Sequence, residues 1–458
     1  MCAMDRRVFL KSAAVAAAAV PLDALVARAG SLAQDGNLRR LRTAGYGPLV
    51  DSLDEATGLP LLKLPEGFRY VSFGWAGDLM ADGRRTPGKH DGMGAFAAGA
   101  GRVRLVRNHE EDTGEPFSGV SYDPTAGGGT TTMEFDTEAG RVVSAYGSLS
   151  GTIRNCAGGQ TPWGSWLTCE ETTASTGRPH GYVFEVAATG LGDPAPIREM
   201  GRFSHEAVAI DPATGYVYET EDAGASLLGF FGASSKSGFY RFVPNTPGRL
   251  ADGGQLSMLK VKGRPKFDLG DSYDNGTAFD VEWVPVARPD NPERTAPGDF
   301  VWKQGRALGA ATFQRLEGCW YGNDRRIYIV STNGGRGQGQ IWTYDPAAEM
   351  ISLLFQSPGS EVLNKPDHLT VSPRGGLVLC EDGGGDEFLQ GLTTSGEIFT
   401  FAQNNVKLRG ERNGVSGDFT SSEWAGPCYS PDGKWLFANI YDPGITFAIT
   451  GPWQSGAL

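Results

Sequence analysis

Three turns of similar sequence constrain the fold of this 458-residue chain more than any other feature. Each turn closes one apolar run, contains a proline and a glycine, and leads into a second run in which apolar residues alternate. The turns lie at residues 211–215, 372–376 and 430–433. Because glycine supplies the positive φ of a tight turn, each unit is predicted to be a strand, a turn and a second strand.

A second recurring unit is an aromatic and aliphatic strand that ends in a polar residue. It appears as GYVFEVA, GFYRFVPN, GQIWTYDP and GEIFTFAQN. Repeated hairpins with little helical periodicity predict an all-β fold, a six-bladed β-propeller. Six four-stranded blades would use about 70 residues each, above the usual ~40 to 50. We therefore expect long inter-strand insertions, with the Gly-rich segments 263–310 and 383–395 as candidates; two β-sandwich domains are the alternative.

The N-terminus has the order of an export signal. Arg6 and Arg7 precede Phe-Leu-Lys, an apolar stretch follows at residues 12–20, and a small-residue cleavage site ends at Ala29. This order is typical of a twin-arginine signal peptide; an amphipathic N-terminal helix is the alternative. We divide the chain into a signal peptide, 1–29, and a single propeller domain, 30–458. No later run approaches the ~18 apolar residues of a membrane span, so we expect a periplasmic or secreted protein without membrane insertion.

Charge and cysteine content narrow the possible partners. The formal net charge of −12 argues against general affinity for polymeric nucleic acid or anionic lipid and suits a protein that binds cations. Cutting after residue 29 leaves five cysteines, an odd number without a CxxC pair. A zinc ribbon is therefore unsupported, and a chain that folds before export should not depend on disulfides.

Acidic clusters recur beside the apolar runs. They are Glu110-Glu111, Glu170-Glu171, Glu206, Glu219, Glu221-Asp222, Glu317, Asp367, Glu381-Asp382 and Glu423. In a propeller such residues would meet at one mouth of the central channel. Calcium takes six to eight oxygen ligands, and the chain has only five histidines, so the pattern favours an oxygen-ligand metal site. Salt bridges or turn caps at blade edges are the alternative for any single cluster.

The segment 155–171, NCAGGQTPWGSWLTCEE, is the most specific stretch. It resembles the signature of the PhoX family of secreted alkaline phosphatases, also called the DUF839 family. Further motifs of that family follow the same order along the chain: HDGMGAF, LVRNHEE, GRFSHEAVAIDP, YVYETED, YRFVPN, GQIWTYDP, LCEDGG and SPDGKWLFANI. The resemblance extends from about residue 90 to the end.

The resemblance implies a six-bladed propeller that hydrolyses phosphate monoesters in its channel. Its cofactors would be two ferric ions (Fe3+) and two or three calcium ions (Ca2+) around a bridging oxide. By the family pattern, Cys156, Glu206 and Glu317 would be iron ligands, and Arg315 would hold the substrate phosphate. The implied calcium ligands are Glu110, Glu170, Glu171, Asp222 and Asp367.

Three positions depart from the family pattern. The usual Pro-Asp-Asn is Pro366-Asp367-His368, the usual Arg-Pro-Glu-Gly has Leu316 as its second residue, and a late Gln-His-Pro-Gly is replaced at 441–444. The implied chemistry is physically consistent, because clustered cations neutralise a phosphate dianion and lower the pKa of a bound water. The sequence contains no GxSxG motif, which agrees with a mechanism that needs no protein nucleophile.

Two other functions remain open at this stage. A calcium-dependent propeller lactonase or esterase would need no cysteine ligand. A non-catalytic propeller binding module would need no catalytic residues. Cys156 could equally be a buried inert thiol, and Arg315 with Glu317 a structural ion pair. For the phosphatase, the expected partners are a small phosphomonoester and the twin-arginine translocase, and the expected state is a monomer.

Overall fold

The hairpin units form six stacks of antiparallel strands around a central channel. The computed structural model describes residues 45–222, 236–291 and 299–458. Each stack is called a blade, numbered in chain order, and its first strand lies innermost. Before the first blade come β1 (Leu49–Ser52), β2 (Leu62–Pro65) and β3 (Arg69–Phe73).

The first three blades lie between residues 90 and 261. Blade 1 contains β4 (His90–Ala97), β5 (Arg102–His109), β6 (Gly128–Asp136) and β7 (Arg141–Thr152). Blade 2 contains β8 (Asn155–Gln160), β9 (Ser165–Glu170) and β10 (Val183–Ala187). Blade 3 has β11 (His205–Ile210), β12 (Val217–Glu221), a short β13 (Lys236–Ser237) beside it, β14 (Phe239–Pro244) and β15 (Gly254–Val261).

Blades 3 and 4 are joined at their outer edges by β16 (Ala278–Pro285), which pairs with a strand of each. A short β17 (Phe313–Gln314) pairs with β13. Blade 4 contains β18 (Leu316–Tyr321), β19 (Ile327–Ser331), β20 (Gln340–Asp345) and β21 (Met350–Gln356). Blade 5 contains β22 (Pro366–Val371), β23 (Leu377–Glu381), β24 (Phe388–Leu392) and β25 (Ile398–Asn404).

The last blade combines strands from both ends of the chain. After a small hairpin of β26 (Lys407–Arg409) and β27 (Ser416–Asp418), blade 6 contains β28 (Trp424–Tyr429), β29 (Leu436–Ile440) and β30 (Ile445–Thr450). Its fourth strand is β3, in which Tyr70 lies opposite Ile449. Pairing of early and late strands closes the ring, while β1 and β2 extend blade 5 through β25.

Helical structure is minor in the described ranges. It consists of α1 (Phe300–Ala307), a helical turn α2 (Gly334–Gly337), and 3-10 turns at Arg198–Met200, Leu250–Asp252 and Trp453–Ser455. The helix α1 and strand β16 both lie in the predicted insertion 263–310 between β15 and blade 4.

The inner strands form a closed ring. In chain order, β4, β8, β11, β18, β22 and β28 each contact the next, and β28 returns to β4. They approach closely: a Cβ at Gly92 would lie 2.6 Å from Ala157 Cα, and one at Gly318 would lie 2.8 Å from the Asp367 carbonyl oxygen. The prediction of a six-bladed β-propeller is confirmed.

Apolar side chains between adjacent blades form the core. Between blades 5 and 6, for example, Tyr70, Phe401, Trp424 and Phe447 belong to one buried cluster. Each fully buried side chain of this kind contributes about 1.5–3 kcal/mol. This packing fixes the angle between blades, and therefore fixes where the ends of their inner strands meet.

The three predicted turns each connect the first and second strands of a blade, in blades 3, 5 and 6. Gly215, Gly375 and Gly433 have φ values of 72°, 97° and 69°, as tight turns require. The interpretation of 383–395 as an insertion is wrong. Gly383, Gly384 and Gly385 are followed by β24, a strand of blade 5 that pairs on one side with β23 and on the other with β25.

Candidate metal centre

The second residue of every inner strand lies at the same mouth of the channel. In chain order these residues are Asp91, Cys156, Glu206, Glu317, Asp367 and Ala425. We call this set the inner tier. The antiparallel register of each inner strand with its neighbour is interrupted at this position in blades 1 to 5 and directly after it in blade 6, so every blade has an irregularity there. Such bulges redirect side chains, and here they recur in all six blades.

A second set of residues surrounds the inner tier. In each blade, the residue after the second strand donates its backbone N–H to the carbonyl of the residue before the first strand, at 2.8–3.2 Å. We call the donors the outer tier: Glu110, Glu171, Asp222, Thr332, Asp382 and Tyr441. Because this hydrogen bond is the same in every blade, the outer tier lies at the same mouth as the inner tier.

The two tiers bring possible metal ligands together. Four groups each have ligand atoms within 4.8 Å of one another: Asp91–Cys156–His368, Cys156–Glu171–Glu206, Glu206–Asp367–His368, and Asp367–Asp382–Glu423. Shared members connect the groups across the channel. Blades 1, 2, 3, 5 and 6 therefore contribute to one continuous cluster of carboxylates, with a single thiol and a single imidazole.

The electrostatics of this cluster are unfavourable without added positive charge. Burial raises the pKa of Glu206 well above its usual range, and the carboxylate of Asp367 raises it further. Burial and the carboxylate of Asp222 also raise the pKa of Glu317, although Arg315 lowers it. Several carboxylates this close cannot all ionise unless cations compensate them.

Two carboxylate oxygens in the cluster lack a hydrogen-bond donor. Both Glu206 Oε2 and Asp367 Oδ1 are buried, and no described group donates to either. A buried acceptor left in this state costs about 1–3 kcal/mol. The donor set of several carboxylates and one thiol fits the ferric and calcium ions that the family resemblance implies.

Cys156 lies at the centre of this arrangement. Its Sγ donates to Glu206 Oε1 at 3.1 Å and lies 3.6 Å from His368 Nε2. Burial raises the pKa of the thiol well above its ordinary value, with Asp91 and Glu206 contributing in the same direction. A thiolate at this position therefore requires a cation to balance it.

Arg315 lies at the mouth beside the inner tier. Its Nε and Nη2 donate to Asp222, and Nη2 lies 2.7 Å from Glu317 Oε1. The pKa of its guanidinium is raised, chiefly by Glu317. The remaining nitrogen, Nη1, makes no hydrogen bond to any residue that the structure describes.

Arg315 also belongs to a repeated basic position. The residue before the inner strand is Lys89, Arg154, Arg315 and Lys365 in blades 1, 2, 4 and 5, and each has a φ of 45–50°. This left-handed conformation is uncommon for residues other than glycine. Each of these four residues accepts the strand-to-strand hydrogen bond described above, which holds it at the channel mouth.

Most predicted site residues come together. Those in the two tiers or next to them are Glu110, Cys156, Glu171, Glu206, Asp222, Arg315, Glu317 and Asp367. Glu110 accepts from the Tyr441 hydroxyl at 2.5 Å and is paired with Arg154. The particular metal roles of these residues stay predictions.

Glu170 does not join them. Its Oε1 accepts hydrogen bonds from Ile153 N and His180 Nδ1, and its Oε2 accepts from Gly181 N and Tyr182 N, at 2.6–3.1 Å. Neighbouring residues at a strand end point in opposite directions, so Glu171 reaches the mouth while Glu170 turns into the blade. We therefore correct the predicted ligand set by removing Glu170.

Four members of the cluster have no role assigned from the sequence. Asp382 and Glu423 are acidic residues at strand ends without an assigned role, Asp91 lies inside the HDGMGAF motif, and His368 is a departure from the family pattern. An alignment of the six inner strands with one another would have found Asp91. It occupies the same position as Cys156 and Glu206.

A family model described as alkaline phosphatase PhoX matches residues 44–145 and 138–444. Among solved structures, virginiamycin B lyase from Staphylococcus aureus is 12% identical with a TM-score of 0.40, over 84% of this chain and 99% of that one. A gluconolactonase from Xanthomonas campestris is 12% identical with a TM-score of 0.39, over 80% and 96%. Regucalcin, a calcium-binding protein from Agrobacterium tumefaciens, is 11% identical with a TM-score of 0.39, over 82% and 96%. No curated protein matches this chain.

Proposed function

The chain belongs to the alkaline phosphatase PhoX family, and on that premise we propose that it hydrolyses phosphate monoesters at a metal centre in the channel mouth. The family supports a phosphatase in general. The observation that carries the specific proposal is the convergence of the acidic tiers, the thiol of Cys156 and the guanidinium of Arg315 at one mouth.

We propose that the thiol of Cys156 and the carboxylates of Glu206 and Glu317 hold iron. Cys156, Glu206 and Glu317 occupy matching positions in three consecutive inner strands, β8, β11 and β18. Strand β11 contacts both β8 and β18. The outer-tier carboxylates Glu110, Glu171 and Asp222, together with Asp367, would hold calcium. When bound, such cations would neutralise the phosphate dianion and lower the pKa of a water molecule.

The chain's own contribution to substrate binding is the guanidinium of Arg315. Its Nε and Nη2 both donate to the carboxylate of Asp222, which fixes the plane of the guanidinium. Nη1 then remains available, and its N–H groups can donate charge-assisted hydrogen bonds to the oxygens of a phosphate group. Arg315 would thus orient the phosphoryl group relative to the cluster and balance part of its charge.

Metal analysis together with a chromogenic phosphomonoester assay tests the proposal. We expect purified protein to contain iron and calcium and to hydrolyse p-nitrophenyl phosphate. A lactonase or esterase of the calcium type would contain no iron and would open a lactone instead. A protein without iron that hydrolyses only lactones would refute the proposed function.

Calcium removal is expected to abolish activity reversibly. Carboxylate ligands such as Asp367, Asp382 and Glu423 exchange calcium readily, whereas a thiolate-bound ferric ion exchanges slowly. A chelator should therefore remove calcium first, and added Ca²⁺ should restore hydrolysis. Full activity after exhaustive chelation and dialysis would contradict a calcium-dependent site.

A single substitution makes the calcium test specific. Asp382→Asn removes one charge from the Asp367–Asp382–Glu423 group, so about tenfold more Ca²⁺ should be needed for half-maximal activity. Iron content should not change. Asp418→Asn is the matched control, because that carboxylate is exposed on β27 and pairs with Lys407.

We also propose export through the twin-arginine route to the periplasm or medium. The predicted signal peptide, 1–29, lies outside the described residues. None of the helices in the described part of the chain is long and apolar enough to span a membrane. The proposed partners are the translocase and a small phosphomonoester, and the proposed state is a monomer, which light scattering would test.

Replacing both Arg6 and Arg7 with lysine is expected to leave the precursor in the cytoplasm. The receptor of this pathway reads the arginine pair as an address, so conserving the charge should not rescue export. Cell fractionation and immunoblotting measure the distribution. Arg28→Lys, outside the pair, is the control and should still be exported; unchanged export of the double variant would refute the twin-arginine interpretation.

A further inference from the structure

His368 is the only large side chain at its position in the ring of inner strands. The third residue of the other five inner strands is Gly92, Ala157, Ala207, Gly318 and Gly426. The imidazole of His368 is 3% exposed and lines a small space between the six inner strands. At this position the family pattern noted in the sequence analysis has asparagine instead.

The hydrogen bonds of the ring fix where its proton lies. The backbone N–H of Gly426 donates to His368 Nδ1 at 2.9 Å. A backbone amide can only donate, so Nδ1 must present its lone pair and cannot carry a hydrogen. In a neutral imidazole the proton is then on Nε2.

The nitrogen that carries the proton faces two proposed iron ligands. His368 Nε2 lies 3.1 Å from Glu206 Oε1 and 3.6 Å from Cys156 Sγ. The other charged groups around the ring are Asp91, whose Oδ1 is 3.5 Å from Nδ1, and Asp367, whose Oδ1 is 3.8 Å from Nε2. A protonated nitrogen has no lone pair in the ring plane to give to a metal, but it can donate to sulfur and to a carboxylate.

We propose that His368 is a positioning residue whose Nε2–H donates to the Cys156 thiolate and to Glu206, and that it is not itself a metal ligand. This inference rests on the proposed iron centre. A hydrogen bond to a ligating thiolate withdraws electron density from sulfur and raises the reduction potential of the iron. The same effect moves the absorption band of the iron–thiolate pair to shorter wavelength.

Two substitutions separate a donor from a ligand. In His368→Gln, the amide nitrogen of the longer side chain can reach the place of Nε2 and donate to sulfur. In His368→Asn, the side chain can accept from Gly426 but ends short of Cys156. Asn is also the residue of the family pattern, which favours folding of this variant.

The readouts are iron content, the visible spectrum and the reduction potential of the purified proteins. We expect His368→Asn to keep its iron while its band moves to longer wavelength and its potential falls, and His368→Gln to resemble the unsubstituted protein. His180→Asn is the matched control. That histidine is also fully buried beside a carboxylate, Glu170, but belongs to blade 2 away from the cluster, so the band should not move.

Three results would overturn the inference. Loss of iron in both His368 variants would show that the histidine is a metal ligand. An absorption band that does not move in His368→Asn would show that His368 does not donate a hydrogen bond to sulfur. In either case the unsubstituted protein still shows iron and a band, so the proposed function survives. Absence of iron and of the band from the unsubstituted protein refutes the iron centre, and this inference with it.

Discussion

Replacing Cys156 with serine is expected to lower phosphatase activity by about a hundredfold or more while the propeller stays folded. The exchange of sulfur for oxygen changes volume little, so an inert buried thiol would tolerate it at a cost of about 1 kcal/mol. Cys156 Sγ, however, lies among carboxylates of blades 1, 2 and 3 and the imidazole of His368 in blade 5. Loss of a soft charged donor there should reduce iron content and remove the colour of the iron–thiolate pair.

The chain offers matched controls for this substitution. Cys169 and Cys428 are also free and fully buried, yet neither belongs to a group of possible metal ligands among the described residues. Cys169→Ser and Cys428→Ser should keep iron, colour and turnover, with at most a lower melting temperature. If Cys156→Ser behaves like these two variants, the assignment of Cys156 as an iron ligand is wrong.

Local sequence signals were sufficient for the architecture. Glycines with positive φ at 215 and 433 and the apolar runs beside them determine hairpins without reference to the rest of the chain. The number of blades follows once the hairpins are arranged in a ring. The interpretation of 383–395 failed because glycine content was read as a loop, although the five residues of β24 are mostly buried between two strands.

The site was less predictable because it depends on which way each side chain points. Glu170 and Glu171 are adjacent in sequence, but the last residue of β9 turns into its blade and the next one enters the mouth. Sequence alone does not show where a strand ends to within one residue. Asp91 and His368 were not assigned for a related reason, since their positions become equivalent to others only when bulges in different blades are superimposed.

The propeller explains why one chain can assemble so many charges. Each blade supplies the same backbone position at the mouth, and the side chain there can vary without changing the fold: Cys156 in blade 2, Glu206 in blade 3 and Ala425 in blade 6. The acidic side chains, which repel one another, are distributed over several inner strands, and the blades that carry these strands pack through apolar surfaces. Chemistry at the mouth and stability between the blades are therefore determined by different residues.

The position of Arg315 in this ring leads to an expected result for substrate binding. Arg315→Lys keeps a positive charge near Asp222 and Glu317 but replaces the planar fork with a point charge. We expect kcat/KM for p-nitrophenyl phosphate to fall by about a hundredfold, because the hydrogen bonds from Nη1 to the phosphoryl group are lost. Inhibition by inorganic phosphate should weaken in parallel, since it uses the same contact, while iron content stays unchanged.

Arg241→Lys provides the control for Arg315→Lys. Arg241 also forms an ion pair with a glutamate, Glu349, at 2.9 Å, but it lies on β14 against Trp283, where blades 3 and 4 join at their outer edges. Its substitution should affect the melting temperature and leave both kcat/KM and phosphate inhibition alone. Equal effects of the two substitutions, or normal phosphate inhibition in Arg315→Lys, would show that Arg315 is a structural ion-pair partner. The expected result separates these roles because only a residue that touches the phosphoryl group can change the inhibition constant for phosphate without changing the metal content.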